Sequence, residues 1–578
     1  MRKLTVFVLT LLAGCGMTAF ADTMPAEGGT LPFAAAVKED GKWGVAGADG
    51  RLIIPAVYDA AAVSLSDKEL YGEDIKSMPG RDRLIEVRDG RLRGFYDREG
   101  RVVVPVSYEK RSSWTNNALA VQNREGKIAF YRKDGKKLSD FIYDEASDFE
   151  DGVALVKKNG KYGYLRMDGS EIAPVYQAAG TFSGGAAPVK NKKWGVINEK
   201  GEITVPFLYD HAGPSFSEGL LAVEKDNRWG FIDTSGKEVV PLLYRAVHPI
   251  FEEGVAAVEA ENKKWGFINT KGEMTAVPQF EDVLTPMSEG LAGVVTADGK
   301  AYVRSDGSVA FHADFDQIYP FHDGLAEYRE GEVVARLIRP AISIGWGWGG
   351  WHRHRHPWIW PMWGPWWYDG WYGETVTETE VKRGYLDKTG RLIAAASLDH
   401  VYPASTKGIL VFNKGRFGWI APSGQYVIHT EYRRLIPVEE ENLVIARNED
   451  KKWGVLDFRG QVRIPFLYDD VRHLGKGYAA LKMDGKWALA RQDGTILTKA
   501  VYQNIGAEGD GLFPAETRNG WVYLNGEGKE TISFHEMPES ALFFKDGGAG
   551  VKVNGKWGII TKDGTWTAAP VFDAYIAL

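Results

Sequence analysis

The sequence predicts an all-β repeat protein. Three observations carry that prediction. A unit of 32 to 36 residues recurs fourteen times along the 578-residue chain. Each unit reads as short strands joined by glycine turns. The composition pairs 68 glycines with 12% aromatic residues, which suits strands and tight turns better than helices.

The unit is plainest in "NKKWGVINEKGEITVPFLYD" (191–210), "DNRWGFIDTSGKEVVPLLYR" (226–245), "NKKWGFINTKGEMTAVPQFED" (262–282) and "DKKWGVLDFRGQVRIPFLYD" (450–469). Its aromatic anchor falls at Trp43, Tyr162, Trp194, Trp229, Trp265, Phe417, Trp453, Trp487, Trp521 and Trp557. Degenerate copies place Arg93, Ile128, Lys300 and Arg383 there. Two steps are longer, 50 residues from Trp43 to Arg93 and 83 from Lys300 to Arg383, and each equals one period plus an insertion.

Each segment of the unit has a physical reading. "KWGFID" alternates large apolar side chains as a strand does. The glycine after the anchor lacks a side chain, so a neighbouring ring or backbone can come close. "DTSG" (233–236) and "NEKG" (198–201) read as hairpin turns, with Asp or Asn capping the turn and Gly taking positive φ. "KEVVP" is the return strand, and Pro241, without an N–H, is expected to end its ladder. Tyr244 is a second core aromatic. The "F-x-E-G" segment with the apolar residues after it, "FSEGLLAV" at 216–223 and "FEEGVAAV" at 251–258, closes a turn and starts the next strand. Three or four strands per unit leave no room for a helix.

The motif K-W-G-[VF]-[IL]-[DN]-x-x-G, followed by Pro and an aromatic, resembles that of the bacterial WG-repeat family, over about residues 33–578. The resemblance implies no catalytic residues. A β-propeller is the first expectation, as two seven-bladed rings or one larger toroid, and a linear β-solenoid is the alternative.

The N-terminus reads as an export signal, residues 1–21. Arg2 and Lys3 precede an apolar run, Leu4 to Leu12, too short to span a bilayer. Two cleavage readings stay open. Ala19-Phe20-Ala21 fits a site that releases a soluble chain starting at Asp22. Leu12-Ala13-Gly14-Cys15 resembles a lipobox that would leave Cys15 lipidated. Either reading implies a protein of the bacterial periplasm or one anchored to the outer membrane. Cys15 is the one cysteine, so disulfides, cysteine metal sites and a cysteine nucleophile are not expected in the body. The net charge of −7 argues against a general nucleic-acid binder.

The chain therefore divides into the export segment (1–21), eight repeats (33–332) with a charged insert near 66–80, a second insertion (333–381), and six repeats (382–578). The first insert, "SDKELYGEDIKSMPG", reads as a surface loop. The second contains "GWGWGGWHRHRHPWIWPMWGPWWYDGWYG" (345–373), with nine of the chain's 20 tryptophans. They are Trp346, Trp348, Trp351, Trp358, Trp360, Trp363, Trp366, Trp367 and Trp371, accompanied by Arg353 and Arg355. Repeat spacing places this stretch at the tip of one hairpin, on β-rich flanks that suggest an extended ribbon. A large apolar patch of this kind marks a contact surface, unless the ribbon packs back on the body. A protein partner is the first expectation for it; a glycan or a membrane surface is the alternative. His352, His354 and His356 alternate along the ribbon as a metal site would require, but flanking arginines oppose metal binding.

No catalytic set stands out. The chain has no G-x-S-x-G, H-E-x-x-H or P-loop. Asp and Glu recur at turn positions of every copy. Eight further histidines, at 211, 248, 312, 322, 400, 429, 473 and 535, are scattered singly. A glycoside-active carboxylate pair is the one enzymatic alternative. The expectation is a cofactor-free, non-enzymatic binding or scaffold protein of the envelope.

Overall fold

A computed structural model describes residues 34–61, 84–115, 118–132, 134–150, 152–331, 382–532 and 534–577. These residues form fourteen antiparallel sheets, twelve four-stranded and two three-stranded. Glu439–Glu441, a 3-10 turn, is the one helical element among them. Each sheet carries one of the fourteen anchor positions.

The sixth sheet shows the pattern. A short lead strand (His211–Ala212) pairs with an entry strand (Leu220–Lys225), then an anchor strand (Arg228–Asp233), then a return strand (Glu238–Tyr244). The turns follow the sequence chemistry. Asp233 Oδ1 accepts the backbone N–H groups of Ser235 and Lys237 at 2.9 and 3.0 Å, and Gly236 sits at φ +86°. Asn198 caps the preceding copy in the same way.

The return strand departs from expectation. Pro241 does not end it; the strand runs on to Tyr244. Trp229 lies opposite Tyr244, and two residues later Phe231 lies opposite Val240. The return strand thus carries extra residues in a bulge, and Pro241 sits there, where no ladder N–H is required. The bulge arches over Gly230. A Cβ on Gly230 would lie 2.5 Å from the Val240 carbonyl oxygen and 2.8 Å from that of Pro241. The Trp-Gly pair, the proline and the following aromatic are therefore one device. Trp packs, Gly makes room for the bulge, Pro occupies it, and the second aromatic closes opposite Trp.

Alternate residues of each sheet face opposite neighbours. Leu221, Val223 and Ile232 pack on the fifth sheet with Val196 and Tyr209. Ala222, Trp229 and Phe231 pack on the seventh with Phe251 and Val258. Such a core lies between every consecutive pair of sheets. The series closes on itself: Ala35, Val37 and Ala46 of the first sheet share a core with Ile559 and Phe572 of the fourteenth and with Tyr575. The final strand (Ala574–Ala577) pairs with the first (Ala34–Glu39), from Ala35 opposite Ala577 to Lys38 opposite Ala574. The units therefore close into one toroid, rather than into two rings or a linear stack.

Candidate functional site

The repeat's charged residues are mostly consumed in holding neighbouring sheets together. At the hairpin end, the lysine before the anchor pairs with the acid after the return-strand aromatic. Lys42–Asp59 (2.7 Å), Lys193–Asp210 (2.9 Å), Lys452–Asp469 (2.7 Å) and Lys556–Asp573 (2.5 Å) are such pairs, as are Lys127–Asp144 and Lys264–Glu281. The second carboxylate oxygen often reaches the hairpin of the next sheet. Asp59 accepts Gly90 N–H at 2.7 Å, Asp144 accepts Asn159 N–H at 2.7 Å, and Asp469 accepts Asp484 N–H at 3.0 Å. The hydrogen bond from its lysine holds the carboxyl of Asp59, and likewise that of Asp469, below the usual carboxylate range.

The residue that follows the return segment, after an aromatic at twelve of the fourteen junctions, varies along the ring, but its side chain is bonded or ion-paired at thirteen of them. Besides the six acids above, Gln177, Arg245, Asp316, Asp399, Arg433, Gln503 and Glu539 all find partners. Glu109, between the second and third sheets, is the exception among the described residues.

The opposite end has a second set of links. In the "E-G" turn, Glu218 accepts Gly254 N–H at 2.9 Å, Glu253 accepts Gly290 N–H at 2.8 Å, and Glu289 accepts Gly324 N–H at 3.0 Å. Asp510 does the same for Gly547 at 2.7 Å. Arg98 of the second sheet, almost fully buried, reaches Asp546 of the fourteenth at 3.0 Å across the closure. The recurrence of Asp and Glu in the sequence thus has a structural cause.

Two repeats break the anchor rule in the same way. In the second sheet Arg93 replaces Trp and meets Glu86 at 2.8 Å, both buried. In the ninth, Arg383 replaces it and meets Glu327 at 3.1 Å, beside Arg329 at 2.6 Å from the same oxygen. These are also the two repeats that carry insertions.

The histidines stay dispersed. His211 Nε2 lies 3.6 Å from Glu224, and His473 Nε2 lies 3.6 Å from Glu441. His248 packs edge-on against Trp265, with ring centroids 5.2 Å apart, and loss of solvent pushes its pKa down to about 4. No group of three or more His, Cys, Asp or Glu is arranged to hold a metal among the described residues. No described helix is long and apolar enough to cross a membrane.

A recurring apolar surface lies on the return segments. Of 22 exposed large apolar residues among those described, eighteen belong to these segments, which form one edge of their sheets in all but the three-stranded third and twelfth. Leu208, Leu243, Leu467 and Val571 are examples, each just before the second aromatic. The sequence reading missed this surface. Its signal was the aliphatic residue between Pro and the aromatic, which looks like core in a strand but faces outward from an edge.

The expected contact residues of the Trp-rich stretch, Trp346 to Trp371 with Arg353 and Arg355, lie outside the described residues. So do His352, His354, His356 and Cys15. The flanks of the stretch are placed: Glu330 lies opposite Lys382 in the ninth sheet, so the intervening residues leave and re-enter at a hairpin tip.

The fold is that of a circular repeat scaffold. Residues 129–162, 162–193, 194–229, 229–264, 265–300, 302–332 and 453–487 match the model of the WG containing repeat, so the chain carries WG repeats at these seven positions. No curated protein matches it. A eukaryotic initiation factor structure aligns at 10% identity over 75% of this chain and 95% of that one, with a TM-score of 0.29. The extracellular domain of a putative one component system from B. thetaiotaomicron aligns at 10% identity over 92% of this chain and 82% of that one, with a TM-score of 0.19. PorZ, a surface component of the type-IX secretion system of Porphyromonas gingivalis, aligns at 9% identity over 85% and 80%, with a TM-score of 0.18. Similarities this weak bear on neither role nor location.

Proposed function

We propose that this protein is an exported, non-enzymatic scaffold of the bacterial envelope that binds a protein partner. The observation that carries the reading is the apolar surface repeated along the return segments. Apolar side chains exposed at the same position of successive units, such as Leu208 and Leu243, favour protein contact. Proline in the bulge obstructs continuous strand addition, so the contact is made by side chains. The Trp-rich insertion, whose flanks Glu330 and Lys382 lie opposite one another in the ninth sheet, adds a second contact element rich in the residue type that dominates binding hot spots. The leader at residues 1–21 directs the protein out of the cytoplasm, with Cys15 as the point of lipid attachment if the lipobox is used. Most of the repeat's described carboxylates are committed to turns and sheet links, which favours binding over turnover.

The test is photocrosslinking in living cells from a probe at Trp360 and, separately, at Leu243, with adducts identified by mass spectrometry. A discrete protein adduct from either position supports the scaffold reading and names the partner. Adducts confined to lipid or glycan, or crosslinks only within the chain, overturn it.

A further inference from the structure

The junction between the second and third sheets is the one where the repeated link is missing. The residue before the anchor is Leu92 instead of lysine, and the acid after the aromatic, Glu109, has no side-chain partner among the described residues. A cleft of about 630 Å³ opens there, within the range of small-molecule sites, roughly 300–1,000 Å³. Arg91 and Leu92 border it from one hairpin, and Asn123, Arg124 and Glu125 from the next. Ser107, Glu109 and Phe141 also line it.

Its chemistry is distinctive. Arg91, Arg124, Glu109 and Glu125 make no ion pair with one another or with any described residue, although they share one cleft. At the plainest junctions the charged groups in the corresponding positions are paired, as Lys42 is with Asp59 and Lys452 with Asp469. Among the described lining residues two guanidiniums and two carboxylates cancel in charge, which favours neither a net anion nor a net cation. They offer many donors and acceptors side by side, with the ring of Phe141 and the side chain of Leu92 as apolar surface. A ligand that matches this is neutral, carries several hydroxyls that donate and accept together, and has an apolar face of C–H groups. We infer that the cleft is a binding site for a neutral carbohydrate, lined by Glu109, Arg91, Arg124 and Phe141. This site is separate from the return-segment surface and does not depend on the scaffold reading.

The test uses the full chain and a panel of neutral disaccharides built from glucose, galactose or N-acetylhexosamine, read by saturation-transfer NMR. At least one disaccharide is expected to give signal, strongest on its ring C–H protons. Phe141→Ala and Arg124→Ala should each reduce affinity at least tenfold or abolish it. Leu92→Lys should restore an ion pair to Glu109, close the cleft and abolish binding without lowering the unfolding midpoint. Deleting residues 333–381 or substituting Leu243 should leave binding unchanged, which separates this site from the partner surface. No signal from any disaccharide overturns the inference, as does binding that survives Phe141→Ala and Leu92→Lys.

Discussion

Lys42 Nζ sits 2.7 Å from Asp59 Oδ1, and Asp59 accepts Gly90 N–H through its other oxygen at 2.7 Å. One carboxylate thereby joins a strand of its own sheet to the hairpin of the next. Both partners are exposed, so each such link is weak and screened by salt. Replacing Asp59 alone with Ala should barely move the unfolding midpoint. Replacing Asp59, Asp210 and Asp469 together should lower it measurably at low salt and less at high salt. The folded pKa of each is depressed, so this stability is present above the usual carboxylate pKa and is lost as pH falls through the depressed value. A thermal scan against pH and salt checks both expectations.

Gly230 tests the repeat's central device. Gly230→Ala places a Cβ 2.5 Å from the Val240 carbonyl and should destabilise the sixth sheet by about 1–3 kcal/mol, as overpacking does. Gly219→Asn, at a turn with φ +81° and open space around it, should cost much less, because Asn tolerates that conformation. Hydrogen exchange of the sixth and seventh sheets distinguishes the two. Equal effects would mean that close approach is not the reason for the glycine.

Tyr575 tests the closure. It is buried in the core shared by the fourteenth and first sheets. Tyr575→Ala should cost about 3–5 kcal/mol, in line with aromatic truncations in cores. The loss should appear as faster exchange in residues 34–47 and 556–572, while the seventh sheet stays protected. Uniform loss of protection around the ring would show that the sheets unfold as one unit.

His248 predicts a response to acid. Its folded pKa, about 4, lies below the usual 6.5, so the unfolded chain binds the extra proton first. The stability it contributes is present above pH 6.5 and is lost as pH falls towards 4. His248→Gln should flatten the fall in unfolding midpoint across that window relative to the unsubstituted protein. Parallel curves for the two proteins would rule this residue out as a source of acid sensitivity.

Much of this architecture was legible because it is local. The anchor, the capped turns at Asp233 and Asn198, and the "E-G" turn each follow from a few adjacent residues, and the fourteen anchor positions correspond to fourteen sheets. Pro241 misled because its missing N–H was read against a regular ladder, whereas the bulge over Gly230 removes the need for that bond. The closure was not legible, since Ala574–Ala577 has no feature that names Ala35–Lys38 as its partner. The carbohydrate cleft had a faint signal. Leu92 stands where lysine stands in the plainest copies, but only the registers show that the lysine's partner would have been Glu109.

The pairing of the last strand with the first also sets how the molecule responds to force. Ala35 and Ala577 are opposite one another at the outer ends of the first and last strands, in an antiparallel pair. Tension applied at those ends would load the hydrogen bonds one after another, as a zipper does, and not all together. The seam should therefore yield at low force, and the sheets beyond it should then peel away singly, giving a sawtooth of small, regular extensions under a steady pull.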